Sequence, residues 1–142
     1  MDHVEYLIGL WTKPLPRSDS DALAAFRDAY ADPVRVNGVD TPLAELVKRA
    51  RMLQRAFADL TLELVERIET PTRLVIVFWQ HGRHVGTLET PSGEIKATGR
   101  EVRIQTIDVL TLRDRRITEV FVVADNLALL LQLGVLADTS SG

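Results

Sequence analysis

The chain has 142 residues, a formal net charge of −3 and no cysteine. One globular domain is expected at this length, with a core that needs no disulfide or metal to hold it. The near-balanced composition argues against a nucleic-acid-binding surface, and the lack of cysteine excludes disulfides, thiolate zinc ligands and cysteine nucleophiles. The start of the chain shows no signal-peptide pattern, and no apolar run is long enough to cross a bilayer, so we expect a cytoplasmic domain without membrane contacts.

Apolar residues recur at helical spacing in the first part of the chain and predict two helices. The first carries Trp11 on its apolar stripe and is broken by the prolines that follow. The second follows a run of capping residues at 18–21 and carries Phe26 and Tyr30 on its stripe. Asp32-Pro33 ends it, because a residue before proline avoids helical geometry.

A longer third helix is predicted after a short strand and turn at 34–38. Thr41 is expected to be its N-cap, and the apolar face continues to about Ala58. The pattern then changes to strands, which we place at 60–68, 73–80, 101–112 and 117–124. A leucine-rich helix ending at Gly134 closes the chain, and the polar tail 138–142 is expected to fray. Helices followed by a long meander indicate an α+β domain.

The last predicted strand leads into a carboxylate, Asp125, directly before the closing helix. Counting by twos along the strand places Asp125 on the same face as Phe121 and Val123. The carboxylate is therefore either an N-cap of the helix or an acid in an apolar pocket. In the second case burial would raise its pKa and suit it to acid/base work.

Three segments carry a family resemblance. They are Gly82-Arg83-His84-Val85-Gly86, then Ala97-Thr98-Gly99-Arg100-Glu101-Val102, then Ile117-x-Glu119-x-Phe121 with Asp125 and Leu131-Gln132-Leu133-Gly134. Together with Tyr30-Ala31-Asp32, they resemble the SnoaL-like polyketide cyclase family of the nuclear transport factor 2-like superfamily. The likeness covers about residues 20–136, so residues 1–142 are expected to form a single domain of this kind.

The resemblance implies a cone, in which a curved antiparallel or mixed sheet wraps over three helices from the N-terminal half and a short C-terminal helix follows. It also implies a deep apolar pocket and a homodimer. The implied reaction is an intramolecular aldol ring closure of a small apolar or aromatic polycarbonyl compound, with Asp125 at the family's general acid/base position and neither a cofactor nor a metal. The chain departs from the family in having Phe121 where Trp is common, and in a less polar first strand.

Further candidate site residues follow from the same pattern. His84 is a second catalytic candidate, since it can hydrogen-bond a substrate carbonyl near neutral pH, although a strand-end residue is the simpler interpretation. Gln105 is a candidate to orient a carbonyl and is equally compatible with a solvated position. Asp108 lies on the opposite face from Gln105, so a regular strand cannot present both to one pocket. The candidates for lining the pocket, each also compatible with core packing, are Trp79, Phe121, Tyr30 and Trp11.

Other functions are compatible with the same fold. Epoxide opening in related enzymes uses a carboxylate two residues after the strand arginine. Here Gln105 stands two residues after Arg103, which counts against that reaction. Steroid-type isomerisation would need a second, protonated acid and a tyrosine in the pocket. A non-catalytic ligand-binding or dimerisation module is the third possibility, and a pocket without Asp125 in its interior would favour it.

Overall fold

The computed structural model of the protein describes residues 2–137, so the tail predicted to fray lies outside the described residues. The helices within that range are α1 (His3–Thr12), α2 (Asp19–Arg27), α3 (Leu43–Ala56) and α4 (Asn126–Gln132). The predicted helical segments are therefore confirmed, and Ser18 caps α2 by accepting a hydrogen bond from the backbone N–H of Asp21 at 3.1 Å. None of the helices described between residues 2 and 137 is both long and apolar enough to span a membrane.

The main sheet has six strands in the order β2-β1-β8-β7-β4-β3, and β5 and β6 form a separate hairpin. Only the β1–β8 pair of the described sheet is parallel; its other pairs are antiparallel. The strands are β1 (Tyr30–Val36), β2 (Val39–Thr41), β3 (Phe57–Glu69), β4 (Arg73–His84), β5 (Leu88–Thr90), β6 (Gly93–Ile95), β7 (Glu101–Arg113) and β8 (Arg116–Ala124). The architecture is the expected α+β cone with a mixed, curved sheet.

The helices cover one face of the sheet, here called the inner face, which presents Leu74, Ile76 and Phe78 of β4 and Leu110 of β7 to the core. Their side chains alternate with those of the outer face, as the two-residue period of a strand requires. Phe26 of α2 and Leu43 of α3 are fully buried against this layer. The inner side chains of β7 determine which chemical groups line the interior of the cone.

Two details of the first half differ from the prediction. Tyr30 begins β1 instead of ending α2, because the chain already pairs with β8 at this point: the N–H of Ile117 donates to the carbonyl of Ala29 at 2.8 Å. Thr41 does not cap α3, since its hydroxyl donates to the carbonyl of Val39. The cap comes from Asp32, whose carboxylate accepts the N–H of Leu43 at 3.2 Å.

Candidate active site

Two adjoining cavities lie between the inner face and the helices. The acid compartment, about 590 Å³, contains Asp108, Thr106 and Tyr30 in its lining. The apolar compartment, about 520 Å³, lies toward α4 and is lined by Leu129 and Leu130 among others. Both are lined by Met52, Leu53, Leu60, Gln80 and residues 89–91 of the β5–β6 hairpin, so they adjoin along a shared wall.

Asp108 is the carboxyl group that the sheet contributes to the lining of the acid compartment. It projects from β7 on the inner face, two residues from Thr106 and two from the buried Leu110. Burial raises the pKa of Asp108 to about 7. Its Oδ1 atom is buried without a hydrogen-bond partner among residues 2–137. A buried polar atom without a partner is costly, so this carboxyl is a group that a bound ligand would satisfy.

Two hydroxyl groups share the compartment with this carboxyl. Thr106 is 4% exposed, and its Oγ1 likewise finds no partner within the described range. The phenol oxygen of Tyr30 accepts a hydrogen bond from the indole N–H of Trp11 at 3.0 Å. Burial raises the pKa of Tyr30 above its usual range, against the lowering effect of the Trp11 hydrogen bond, so the phenol keeps its proton.

This arrangement can transfer protons and stabilise negative charge. A carboxyl group that titrates near neutral pH is present in both protonation states there, and can act as an acid or a base. The hydroxyl groups of Tyr30 and Thr106 are buried donors that line the same compartment. Donors of this kind stabilise charge developing on a carbonyl oxygen.

The rim of the acid compartment is charged. Glu45 and Arg49 of α3 form an ion pair at 3.6 Å, and Glu89 reaches the space from the hairpin. Within residues 2–137 no group of three or more histidine or acidic side chains is arranged to hold a metal ion.

The residues proposed from sequence to line the pocket divide between the two faces of the sheet. Trp11 and Tyr30 line the acid compartment together. Trp79 and Gln105 are paired neighbours on the outer face, where the Arg103 guanidinium lies 3.7 Å from the centre of the Trp79 ring. Phe121 is on the outer face as well and is 47% exposed.

Asp125 lies just beyond the end of β8, at the N-terminus of α4. It is exposed, and its Oδ1 accepts the N–H of Ala128 at 3.0 Å, as an N-cap does. Val123 on the same side is 72% exposed and provides no apolar enclosure. Of the two roles considered from the sequence, these contacts fit the cap, and a catalytic role for Asp125 stays an untested prediction.

His84 is fully buried at the end of β4, outside the linings of both compartments. Its Nδ1 accepts the backbone N–H of Thr98 at 3.2 Å and lies 3.0 Å from the Thr98 hydroxyl. Its Nε2 has no partner within residues 2–137. These contacts tie the end of β4 to the segment before β7, and a catalytic role for His84 also remains a prediction.

Sequence reasoning did not select Asp108 or Thr106 as site residues, although a signal for them exists. Both have the parity of Ile104 and Leu110 along β7, whereas the opposite parity carries Arg103 and Gln105. An acid that shares its face with apolar residues is a better candidate for an interior group than one beside charged residues.

Comparison with known proteins decides the family. The model of the SnoaL-like polyketide cyclase family matches residues 11–133, which is most of the chain. The chain belongs to this family. No curated protein matches it in sequence.

Solved structures of several bacterial proteins share the fold at low sequence identity. TsrD from Streptomyces laurentii is 20% identical with a TM-score of 0.77, over 94% of this chain and 93% of that one. A SnoaL-like polyketide cyclase from Agrobacterium tumefaciens is 20% identical with a TM-score of 0.71, over 93% and 94%. AclR from Streptomyces galilaeus, for which a hydroxylase activity has been suggested, is 20% identical with a TM-score of 0.73, over 96% and 82%.

Proposed function

We propose that this SnoaL-like protein is a cofactor-independent enzyme that closes a ring in a small polyketide-like substrate by an intramolecular aldol reaction, with Asp108 as its general acid/base. The observation that carries the proposal is the buried, unpartnered carboxyl oxygen of Asp108 in the acid compartment. Family membership supports the reaction class, since the matching model describes polyketide cyclases. Tyr30 and Thr106 are proposed to hold the carbonyl oxygen on which charge develops.

The chemistry divides into three proton and bond movements. Ionised Asp108 removes a proton from a carbon flanked by two carbonyl groups, which leaves an enolate whose charge lies largely on oxygen. The enolate carbon then attacks a second carbonyl carbon of the same molecule and forms the new carbon–carbon bond. Asp108, now protonated, returns its proton to the resulting alkoxide. A carbanion beside two carbonyl groups is already stabilised, so the reaction needs acid/base help and positioning.

The exchange of carbon-bound protons with solvent measures the first proton transfer separately from ring closure. Acetylacetone in D₂O serves as the probe, and the loss of its central proton signal is followed by NMR after subtracting the buffer rate. We expect Asp108→Asn to lower the enzyme-dependent rate about a hundredfold or more, the usual contribution of a positioned acid/base group. Tyr30→Phe should lower the rate less, because it removes one donor and leaves the base in place.

Asp125→Asn is the matched control, because asparagine caps a helix as well as aspartate does. The proposal requires this variant to keep the wild-type exchange rate. Loss of exchange in Asp125→Asn, with Asp108→Asn unaffected, would return the acid/base role to Asp125. Binding of acetylacetone without any enzyme-dependent exchange would favour a ligand-binding module instead.

Double-bond isomerisation is a second candidate, favoured by one specific observation. The acid and the tyrosine that such a reaction needs, Asp108 and Tyr30, line the same compartment. In this reaction ionised Asp108 would remove the proton between the carbonyl and the double bond and return it to the far end of the double bond, while the Tyr30 phenol donates to the carbonyl oxygen; ketosteroid isomerase likewise pairs an aspartate base with a tyrosine donor. A β,γ-unsaturated ketone distinguishes the two functions, because isomerisation converts it to a conjugated enone with a new ultraviolet absorbance.

We also propose that two copies of the chain associate through the outer face of the sheet. Ile107 and Val123 are paired neighbours there, 42% and 72% exposed, and Phe121 lies on the same strand as Val123. Exposed apolar side chains that are contiguous on a sheet are typical of a protein–protein contact. This arrangement would leave the mouths of both compartments, on the inner face, open to the ligand.

A further inference from the structure

The inner side chains of β7 change from polar to apolar along the strand. In order they are Asp108 and Thr106, which line the acid compartment, then Ile104 and Val102, which line the apolar compartment. Strand residues advance about 3.4 Å each, so Asp108 and Val102 lie roughly 20 Å apart along β7. The cone therefore has a polar end and an apolar end, separated by the length of an extended small molecule.

The apolar compartment is enclosed by hydrocarbon side chains from several elements. Leu53 of α3, Phe57 of β3, Ile104 of β7 and Leu129 of α4 all contribute to its wall. Its ionisable lining residues are Glu89, which it shares with the acid compartment, and His81, whose Nε2 lies 2.9 Å from a carboxylate oxygen of Glu63. Asp108, Thr106 and Tyr30 do not reach it, so it lacks the groups that the proposed chemistry uses.

Gln80 of β4 lies where the two compartments meet and lines both. It is the inner-face neighbour of Ile104 in the register of β4 and β7. Leu60 and Met52 also line both spaces. The two compartments therefore lie side by side, so that a linear molecule spanning both would have its carbonyl groups near Asp108 and its hydrocarbon part beside Leu129 and Leu130.

We infer that the apolar compartment binds the unreacted hydrocarbon chain of a linear carbonyl substrate whose reacting end lies at Asp108. The inference rests on the proposed function for the position of the reacting end. It adds a substrate class, namely chains with carbonyl groups at one end and an unbranched apolar tail at the other. Short, compact polycarbonyl compounds fill only the acid compartment and bind weakly.

The test is a binding series measured by ligand-observed NMR, with acetylacetone and its straight-chain homologues lengthened at one end. For the wild-type protein we expect each added methylene to tighten binding about fourfold until the compartment is full. Leu130→Trp fills the apolar compartment from α4 and should remove the dependence on chain length, while the affinity for acetylacetone stays unchanged. Leu127→Trp is the matched control, since Leu127 is on the same helix, 62% exposed and outside both linings.

A second variant keeps the test decisive if the Leu130→Trp protein does not fold. Leu130→Gln adds a polar group with little change in volume. It should weaken the binding of the long homologues and leave the affinity for acetylacetone unchanged. The inference is overturned if the affinity of the wild-type protein does not rise with chain length. It is also overturned if both Leu130 variants lose the same factor in affinity for short and for long homologues. The outcome is independent of catalysis: exchange that survives Asp108→Asn would refute the proposed function without altering the chain-length series.

Discussion

At the scale of single residues, the chemistry proposed for this protein depends on where two aspartates lie. Asp108 lines the acid compartment inside the cone, whereas Asp125 is exposed at the start of a helix and uses its carboxylate to cap it. Sequence periodicity treats both as strand residues with apolar neighbours at even spacing. The difference arises because β8 ends at Ala124, one residue before Asp125, so the strand period no longer applies to that side chain.

The raised pKa of Asp108 makes stability depend on pH in a direction opposite to that of most acids. The folded protein holds the proton up to about pH 7, while the unfolded chain releases it near the ordinary value of 3.8. Between these values the unfolded state binds fewer protons, so the free energy of unfolding falls as pH rises. The full shift corresponds to roughly 4 kcal/mol over this window.

Asp108→Asn should remove that contribution. We expect the wild-type free energy of unfolding, measured by urea denaturation, to fall relative to that of Asp108→Asn between pH 4 and pH 7 and to run parallel outside that window. The comparison within one pair of proteins cancels the titration of the other acids. Curves that stay parallel across the whole range would mean that Asp108 titrates at its ordinary value in the folded protein.

At the scale of secondary-structure elements, the segments that carry the family resemblance form hydrogen bonds that hold strands and helices of the fold together. The N–H of His84 donates to the carbonyl of Arg100, and the N–H of Gly99 donates to the carbonyl of His84, so the first two segments bind each other directly. In the third segment, the side-chain amide of Gln132 accepts the N–H of Arg103 and donates to its carbonyl. These contacts hold α4 against β7 and thereby form one wall of the apolar compartment.

Gly86 offers a direct test of this interpretation. A Cβ atom built there would lie 2.4 Å from the backbone carbonyl oxygen of Arg55, at the end of α3, and backbone cannot move aside cheaply. We expect Gly86→Ala to lower the free energy of unfolding by about 1–3 kcal/mol, the usual cost of overpacking. Gly9→Ala is the control, since its added methyl meets only the Cδ atom of the flexible Lys13 side chain at 3.8 Å and should stabilise α1. Equal effects of the two changes would contradict the packing role.

At the scale of the whole molecule, the sequence predicts the elements and the fold better than the site. Helical stripes, strand runs and the order of the elements indicate the α+β cone, and the family resemblance supplies its topology. The face of each strand that turns inward depends on pairing between distant segments. Trp79 illustrates this limit, because both alternating sets of side chains in β4 include apolar residues, and its position on the outer face follows only from the assembled sheet.

The outer face provides a prediction for the assembly. If two copies associate there, the wild-type protein should have the mass of a dimer in size-exclusion chromatography with light scattering. Val123→Asp should then give a folded monomer, because it places a charge in the centre of the apolar contact. Leu127→Asp, which changes an exposed residue of α4 away from this face, should leave the mass unchanged. A wild-type monomer, or a Val123→Asp dimer, would contradict association through this surface.

The most direct test of the assigned chemistry is the titration of the side-chain carboxyl carbons by NMR, with Asp108→Asn and Asp125→Asn used to assign the two signals. We expect the Asp108 carboxyl to titrate with a midpoint near 7, as its burial requires. This result would place in the cone an acid able to both remove and return a proton at neutral pH. A midpoint near the ordinary value of 3.8 would show a solvated carboxylate and contradict the acid/base role of Asp108.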